Sequence, residues 1–413
     1  MSGGSRTPSR KSGVGKKILY VFTSLLGVVV ILLSVAYGGF RHYYGKMNIM
    51  NDEDFEYVSQ IDIREGEDVD YTKVTDGDLK RLDVYDTPEE QEELVYDYSD
   101  PDITNIMLVG TDSRKKGLWR TASDAMVLVS INKKTKKVFL SSFMRDTLVD
   151  IRKGGNHKEA GKAKLNAAFA YGGSKMMFQT YEDNFGIKID KYVHFDFFSF
   201  INIVNYIGGI DMYVKADEVK YMNTVYIFEI NVITGVWPHT KDYLPEKTGM
   251  VHLNGKQALA YTRVRYTGGG DFGRTERQRK MIEAIVAKVK KLSPSKLSSF
   301  AERSLRNVST NLTETDVMSL LVSAPEFFDY EMISTRIPID KTYHSDKLQG
   351  AYVLVADLKK NADYWYSLVY LDKDISADIA KQVAEEKKQK EAEKEQKADE
   401  QDTASSDTTS SSG

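Results

Sequence analysis

The sequence contains no cysteine, and only eight prolines and six histidines in 413 residues. Without cysteine there is no disulfide, no thiolate metal site and no cysteine nucleophile. The histidines are scattered without metal-ligand spacing, and His194 stands between apolar neighbours as a core histidine would. The G-x-S-x-G elbow, the H-E-x-x-H pair and the Walker loop are all missing, no G-x-G-x-x-G is expected to open a helix, and no internal repeat is present. A strong charge balance is missing too. The 57 basic and 60 acidic side chains leave a net charge of −3, which gives no reason to expect nucleic acid as a partner.

Long apolar runs are scarce, with one exception. Ile18 to Phe40 carries no charged side chain. At about 1.5 Å per residue it can cross a hydrocarbon core of about 30 Å. Arg6, Arg10, Lys11, Lys16 and Lys17 precede it and no acid does, which places the N-terminus in the cytoplasm and the rest of the chain outside. A cleavable signal ending near Ser34-Val35-Ala36 is the alternative; the length of the apolar run favours an uncleaved anchor. The arm before it is too short for a DNA-binding domain. Between Asn51 and Asp100 there are 19 acids against four bases, and this reads as a solvated stalk. The expected organisation is a cytoplasmic arm (1–17), an anchor (18–40), a stalk (41–101), a catalytic domain (102–373) and a tail (374–413). The tail reads as a charged helix that gives way to a disordered Ser/Thr-rich end from Asp402.

Within 102–373, apolar runs at 103–109, 125–131 and 138–143 read as strands, the first closed by a Gly110 turn and the other two forming a hairpin. Helices are expected at 166–171 and 174–184, split by Gly172-Gly173. Another runs from an Asp196 cap to Ile207, and others cover 254–260, 273–292 and part of 309–328. Lys215 to Thr248 reads as loop. The expected fold is an α/β three-layer α-β-α sandwich with a mixed central sheet.

Arginines and aspartates stand at the ends of these elements. Asp112 and Arg114 follow the first strand, Arg120 and Asp124 flank the start of the second, and Arg145 and Asp146 follow the third. Arg263 and Arg265 fall on one face of an extended segment. Arg274 and Gln278, four apart, share a helix face with Met281, Ile282 and Ile285. Guanidinium forks grip phosphate oxygens, and Mg²⁺ takes one or two carboxylates plus phosphate oxygens. Taken together the set suits a pyrophosphate; taken singly, each arginine could be a surface residue or the partner of an aspartate.

At these residues the sequence resembles the LytR–CpsA–Psr family, from about Ile103 to Asp372. The runs that carry the resemblance are NIMLVGTDSR (105–114), SDAMVLVSIN (123–132), Arg145-Asp146, KLNAAFAYGG (164–173), Gly208-Gly209-Ile210, LNGKQALAYTRVR (253–265) and DFGRTERQR (271–279). The resemblance implies a cell-envelope phosphotransferase. It would move a glycopolymer, such as teichoic acid or capsule, from an undecaprenyl-pyrophosphate carrier to a peptidoglycan hydroxyl. It implies Asp112 and Asp124 as ligands of Mg²⁺ or Mn²⁺. Arg114, Arg120, Arg263 and Gln278 would hold the pyrophosphate, and Arg145, Arg265 and Arg274 would act in catalysis. Asp146, or a metal-bound aspartate, would take the acceptor proton. Phe169, Met177, Phe197, Ile201 and Ile285 are candidates to line a polyprenyl tunnel, ordinary core being the alternative for each. Two positions depart from the family pattern: Ala122 where arginine is common, with Arg120 the nearest substitute, and Met144 where proline is usual. The competing readings are a lipid pyrophosphatase and a non-catalytic polyprenyl-lipid-binding scaffold.

Overall fold

The computed structural model describes Arg41, Tyr44, Gly45, Asn48 and Ile49, and residues 75–82, 96–98, 100–112, 122–155, 160–189, 191–305 and 307–408. The unit described below is the chain from Asn48 onward. The apolar stretch 18–40 lies outside the described residues. Among those described, no helix is long and apolar enough to cross a membrane.

The strands are β1 (Asn48–Ile49), β2 (Ile103–Thr111), β3 (Ser123–Asn132), β4 (Lys137–Phe143), β5 (Leu148–Ile151), β6 (Gly161–Lys164), β7 (Lys191–Phe195), β8 (Ile210–Val214), β9 (Gly249–Leu253), β10 (Ser309–Thr310), β11 (Glu331–Ile337), β12 (Tyr343–Leu348) and β13 (Ala351–Ala356). The central sheet has the order β1-β10-β7-β2-β3-β4-β11. It is mixed: β2 runs parallel to β7 and antiparallel to β3, and β4 runs antiparallel to β3 and parallel to β11. The helices are α1 (Asp76–Arg81), α2 (Ala167–Phe185), α3 (Phe197–Tyr206), α4 (Ala216–Tyr221), α5 (Phe228–Ile233), α6 (Gly255–Arg263), α7 (Gly270–Val289), α8 (Pro294–Leu305), α9 (Glu314–Phe327), α10 (Leu358–Tyr370) and α11 (Ser376–Thr408).

Side chains alternate across the sheet as period-two geometry requires. Met107, Val109, Met126 and Leu128 are buried on one face with Phe169 and Met177 of α2 and Trp365 of α10. Val127, Ile131 and Leu140 face the other way, toward Ile282 of α7 and Leu320 and Phe327 of α9. The expected three-layer arrangement is therefore present. On the second face, α3, α4, α5, α6 and α7 build a further core that holds Val204, Met222, Leu259 and Met281.

Several local expectations change. β2 does not turn at Gly110 but runs on to Thr111, with its pairing register shifting between the two. α2 does break at Gly172-Gly173; Gly173, at φ 65° and ψ −153°, sits where only glycine is comfortable. Lys215 to Thr248 is not all loop: α4 passes through a π-helical segment (Met222–Ile227) into α5. α11 continues to Thr408 and so takes in much of the Ser/Thr-rich end expected to lack structure.

Parts of the acidic stretch pack onto the domain. Thr75 caps α1, and Leu82 beyond it is fully buried with Leu148 and Leu348. Tyr96 stacks on Tyr366 at 4.7 Å between ring centroids and donates to Asp363 at 2.8 Å. Leu82→Ala should therefore destabilise the domain by about 2–5 kcal/mol, read as a lower urea midpoint. A solvated stalk would give no change.

Candidate active site

The site is built where the ends of β2 and β3 meet the helical layer. Gly110 lies on the face of β2 turned toward Phe195, and a Cβ there would come within 3.2 Å of both Ala125 and the Phe195 ring. A cavity of about 330 Å³ opens on this face. Its apolar wall includes Leu108 and Val127 from the sheet, Phe197 and Phe200 from α3, and Leu259, Met281 and Ile282 from α6 and α7. Asp112, Asp124, Arg263, Arg265, Arg274 and Gln278 line the same cavity. Arg274, Gln278, Met281 and Ile282 present one stripe of α7 to it, as the four-residue spacing predicted.

Ion pairs tie the polar residues together. Asp124 Oδ1 accepts from Arg145 Nη1 at 2.5 Å, with Arg265 Nη2 at 3.8 Å and Arg274 Nη1 at 3.9 Å. Asp271 binds the same three arginines, with Arg265 Nε at 3.3 Å, Arg145 Nε at 3.4 Å and Arg274 Nη2 at 3.5 Å. Three guanidiniums thus share two carboxylates. Burial pushes the Asp124 carboxyl up, but Arg145, then Arg274 and Arg265, outweigh it and hold it well below the usual range. Burial and then Arg145 pull the Arg274 guanidinium down to about 10. Arg274 is 3% exposed, and its buried Nε has no hydrogen-bond partner among the described residues. Such an orphan donor calls for a ligand or water. Beside this node, Arg263 donates to Glu229 at 2.7 Å and to Asp112 at 3.4 Å, its guanidinium 4.5 Å from the Phe197 ring centroid.

Arg145 and Asp146 do not line the cavity. Arg145 lies behind Asp124, and Asp146 is turned to Lys164, whose Nζ donates to it at 2.9 Å; its other oxygen is 3.5 Å from Arg145 Nε. Between a lysine and an arginine, Asp146 fixes the orientation of Arg145 and is not placed to take a proton from a cavity ligand. Arg114 and Arg120 lie outside the described residues. Of the five tunnel candidates only Phe197 lines the cavity. Phe169 and Met177 fill the core on the opposite face of the sheet, Ile201 is core among the helices, and Ile285 packs against that core. His194 is 1% exposed, and burial lowers its pKa to about 4, as a neutral core histidine requires.

The extended Arg-Val-Arg expectation is corrected in form. Arg263 ends α6, and Val264 (φ −59°, ψ 125°) turns the chain so that Arg265 also reaches the cavity. Arg277 fastens this turn: it donates to Val264 O at 3.0 Å, to Thr267 Oγ1 at 2.6 Å and to Glu218 Oε1 at 2.8 Å, with both charged side chains 8% exposed. Arg277→Met leaves the Glu218 charge buried without its counter-charge, with the Lys215 N–H still donating to it at 2.9 Å. The expected cost is about 3–5 kcal/mol, read from chemical denaturation; the double variant with Glu218→Met should recover most of it.

Sequence reading missed Asp271, Glu229 and the role of Lys164. The expectation that no G-x-G-x-x-G opens a helix is corrected here: Gly268 to Gly273 carries that spacing and opens α7, and it was the signal for Asp271. It follows a helix and not a strand, so it is no dinucleotide turn. Gly268, Gly269 and Gly270, at φ 79°, 75° and 52°, instead let the chain swing Asp271 onto the arginines. The Met144 departure also has a local account: its N–H donates to Ile337 O at 2.8 Å, a bond proline cannot make.

The LytR_cpsA_psr family pattern matches residues 71–369, starting inside the acidic stretch that packs on the domain. The chain belongs to the LytR–CpsA–Psr family. Among its relatives, Biofilm regulatory protein A of Streptococcus mutans is 36% identical over 219 residues, 50% of each chain. The polyisoprenyl-teichoic acid–peptidoglycan teichoic acid transferase TagV of Bacillus subtilis is 32% identical over 218 residues, 52% of this chain and 51% of that one. The corresponding transferase TagU of Enterococcus faecalis is 32% identical over 220 residues, 53% and 63%. The chain thus spans about half the length of the first two. Among solved structures, protein gbs0355 of Streptococcus agalactiae aligns with a TM-score of 0.51 at 27% identity, over 63% of this chain and 88% of that one. TagT bound to LIIa-WTA aligns at 0.50 and 26%, over 68% and 98%. These solved structures share the α/β fold with its mixed sheet.

Proposed function

We propose that this chain is a phosphotransferase that carries a glycopolymer from an undecaprenyl-pyrophosphate carrier to a peptidoglycan hydroxyl. The observation that carries the reading is one cavity that joins apolar walls to a guanidinium cluster with an unsatisfied buried donor, Arg274 Nε. A ligand with an apolar chain and a diphosphate head satisfies both halves. The names of TagV and TagU as teichoic acid transferases support the reaction class. The stretch 18–40 would anchor the protein in the membrane with the domain outside, next to both substrates.

In the reaction, the acceptor oxygen bonds to the phosphorus that bears the glycan, and the bond from that phosphorus to the lipid phosphate breaks. Polyprenyl phosphate leaves, and the hydroxyl proton is released. The transition state spreads negative charge over phosphate oxygens. Arg263, Arg265 and Arg274 face that charge from fixed positions, and Arg145 keeps Asp124 in place behind them. Because bond breaking leads, the proton departs late and a strong base is not required.

A divalent ion fits this donor set. Asp112 and Asp124 line one cavity and Asp124 stays ionised. These two carboxylates would hold Mg²⁺ or Mn²⁺, an ion that takes one or two carboxylates together with phosphate oxygens. Bound there, the ion would offset diphosphate charge. The test is binding of a short polyprenyl pyrophosphate by the full chain in detergent. Affinity should rise with Mg²⁺, fall with EDTA, and exceed that for polyprenyl monophosphate. Equal binding of polyprenyl alcohol would remove the role given to the arginines.

A further inference from the structure

A second cavity, of about 960 Å³, lies across the Gly268–Gly273 turn from the first. The turn lines the second cavity through Gly268, Gly269, Phe272 and Gly273, while Arg265 and Tyr266 before it and Arg274 after it line the first, and Asp271 within it binds the arginine node. Arg279, on α7, lines the second cavity, and its Nε and Nη1 are buried without a hydrogen-bond partner among the described residues. The acids near it are engaged elsewhere: Glu276 by Lys280 at 2.5 Å and Glu283 by Ser334 at 2.5 Å. Arg336 shares the cavity but is held at its edge, paired with Asp340 at 2.5 Å and stacked 4.3 Å from the Phe272 ring centroid. Lys341 adds charge at the rim. Burial and then Arg336 lower the Arg279 pKa, and Glu276 and Glu283 oppose the shift only in part.

We propose that this second cavity binds a phosphate or carboxylate oxyanion of a saccharide polymer segment, with Arg279 as the principal contact. Its volume exceeds that of the first cavity almost threefold, which gives room for a polymer segment around the anion. The proposal rests on the transferase reading for the identity of the polymer, the second cavity lying beside the turn whose flanking residues, Tyr266 and Arg274, line the first. The same oxyanion chemistry has two sources: phosphodiesters of the donor glycan, or peptide carboxylates of the acceptor. Ser376, Ala377 and Ala380 at the start of α11 line this cavity too, beyond the end of the family match at 369.

The test is calorimetry on the full chain in detergent with three soluble probes: a glycerol-phosphate oligomer, a peptidoglycan fragment with free carboxylates, and a neutral glucose oligomer. One of the anionic probes should bind and the neutral one should not. Binding of the phosphate oligomer assigns the site to the donor, and binding of the peptidoglycan fragment assigns it to the acceptor. Arg279→Gln should weaken that binding about tenfold or more, with Arg279→Lys restoring part of it. Lys341→Gln, on the exposed rim, should weaken it by about twofold and keeps the test open if Arg279→Gln misfolds. Arg274→Met, which disables the first cavity, should leave the binding unchanged. Three results would overturn the proposal: neither anionic probe binding, equal affinity in Arg279→Gln, or loss in Arg274→Met. Absence of polymer transfer with this binding intact would instead count against the transferase reading.

Discussion

Arg274→Met should lower transfer by roughly 10²–10³-fold while the protein becomes no less stable. The two halves of this expectation have one cause. Arg274 is 3% exposed, and burial and Arg145 pull its guanidinium down to about 10. For a cationic group, a folded pKa below the unfolded value means that folding disfavours the charged form. Removing the charge and keeping the volume should therefore hold the melting temperature at or above that of the wild type. The charge, only partly offset by Asp271 and Asp124, is what a diphosphate would meet, and what the transition state would meet more strongly. Binding and kinetics on lipid pyrophosphate, beside a thermal melt, check both halves. A variant that transfers normally, or one that is plainly destabilised, contradicts the account of Arg274 as an ion held for a ligand.

Asp124→Asn should act in the opposite sense on stability. Asp124 is shared by Arg145, Arg265 and Arg274, and the isosteric amide leaves Arg265 and Arg274 with Asp271 and Arg145 with Asp271 and Asp146. Breaking such a node is expected to cost about 3 kcal/mol at pH 7. The sign with pH follows from the depressed carboxyl. Its folded pKa lies below the unfolded value of about 3.9, so its contribution is full above that value and fades as pH falls through the folded one. The gap between wild type and Asp124→Asn in urea unfolding should be widest at neutral pH and narrow below about pH 4. Transfer should be lost in the variant at all pH values. Equal stability at pH 7 would mean that the three arginines do not depend on Asp124.

The parts of the molecule legible in sequence were those fixed by local patterns. Continuous apolar runs at 103–109 and 125–131 gave the central strands, and the Gly172-Gly173 pair gave the break in α2. Arg274, Gln278, Met281 and Ile282 gave the cavity stripe through helical spacing alone. What escaped depends on contacts distant in sequence. Asp146 looked like Asp112 and Asp124, a strand-end acid, and only the approach of Lys164 from β6 turns it away from the cavity. Asp271 reaches the node through three successive left-handed glycines, which no periodicity announces. Arg277 and Glu218 stand 59 residues apart and meet in the core. The acidic stretch was misleading for a compositional reason: net charge described its average, while burial went to single residues such as Leu82 and Tyr96.

The most direct measurement follows one glycan. Full-length protein would be given a polyprenyl pyrophosphate bearing a labelled saccharide together with a peptidoglycan oligomer, and the products weighed by mass spectrometry. The account predicts an adduct in which a single phosphate joins the saccharide to the peptidoglycan, with polyprenyl monophosphate released in equal amount. It also predicts loss of both products in Arg274→Met. Labelled saccharide phosphate free in solution, with unmodified peptidoglycan, would make the chain a hydrolase; lipid bound tightly with no product at all would make it a carrier-binding protein, and either outcome contradicts the transferase.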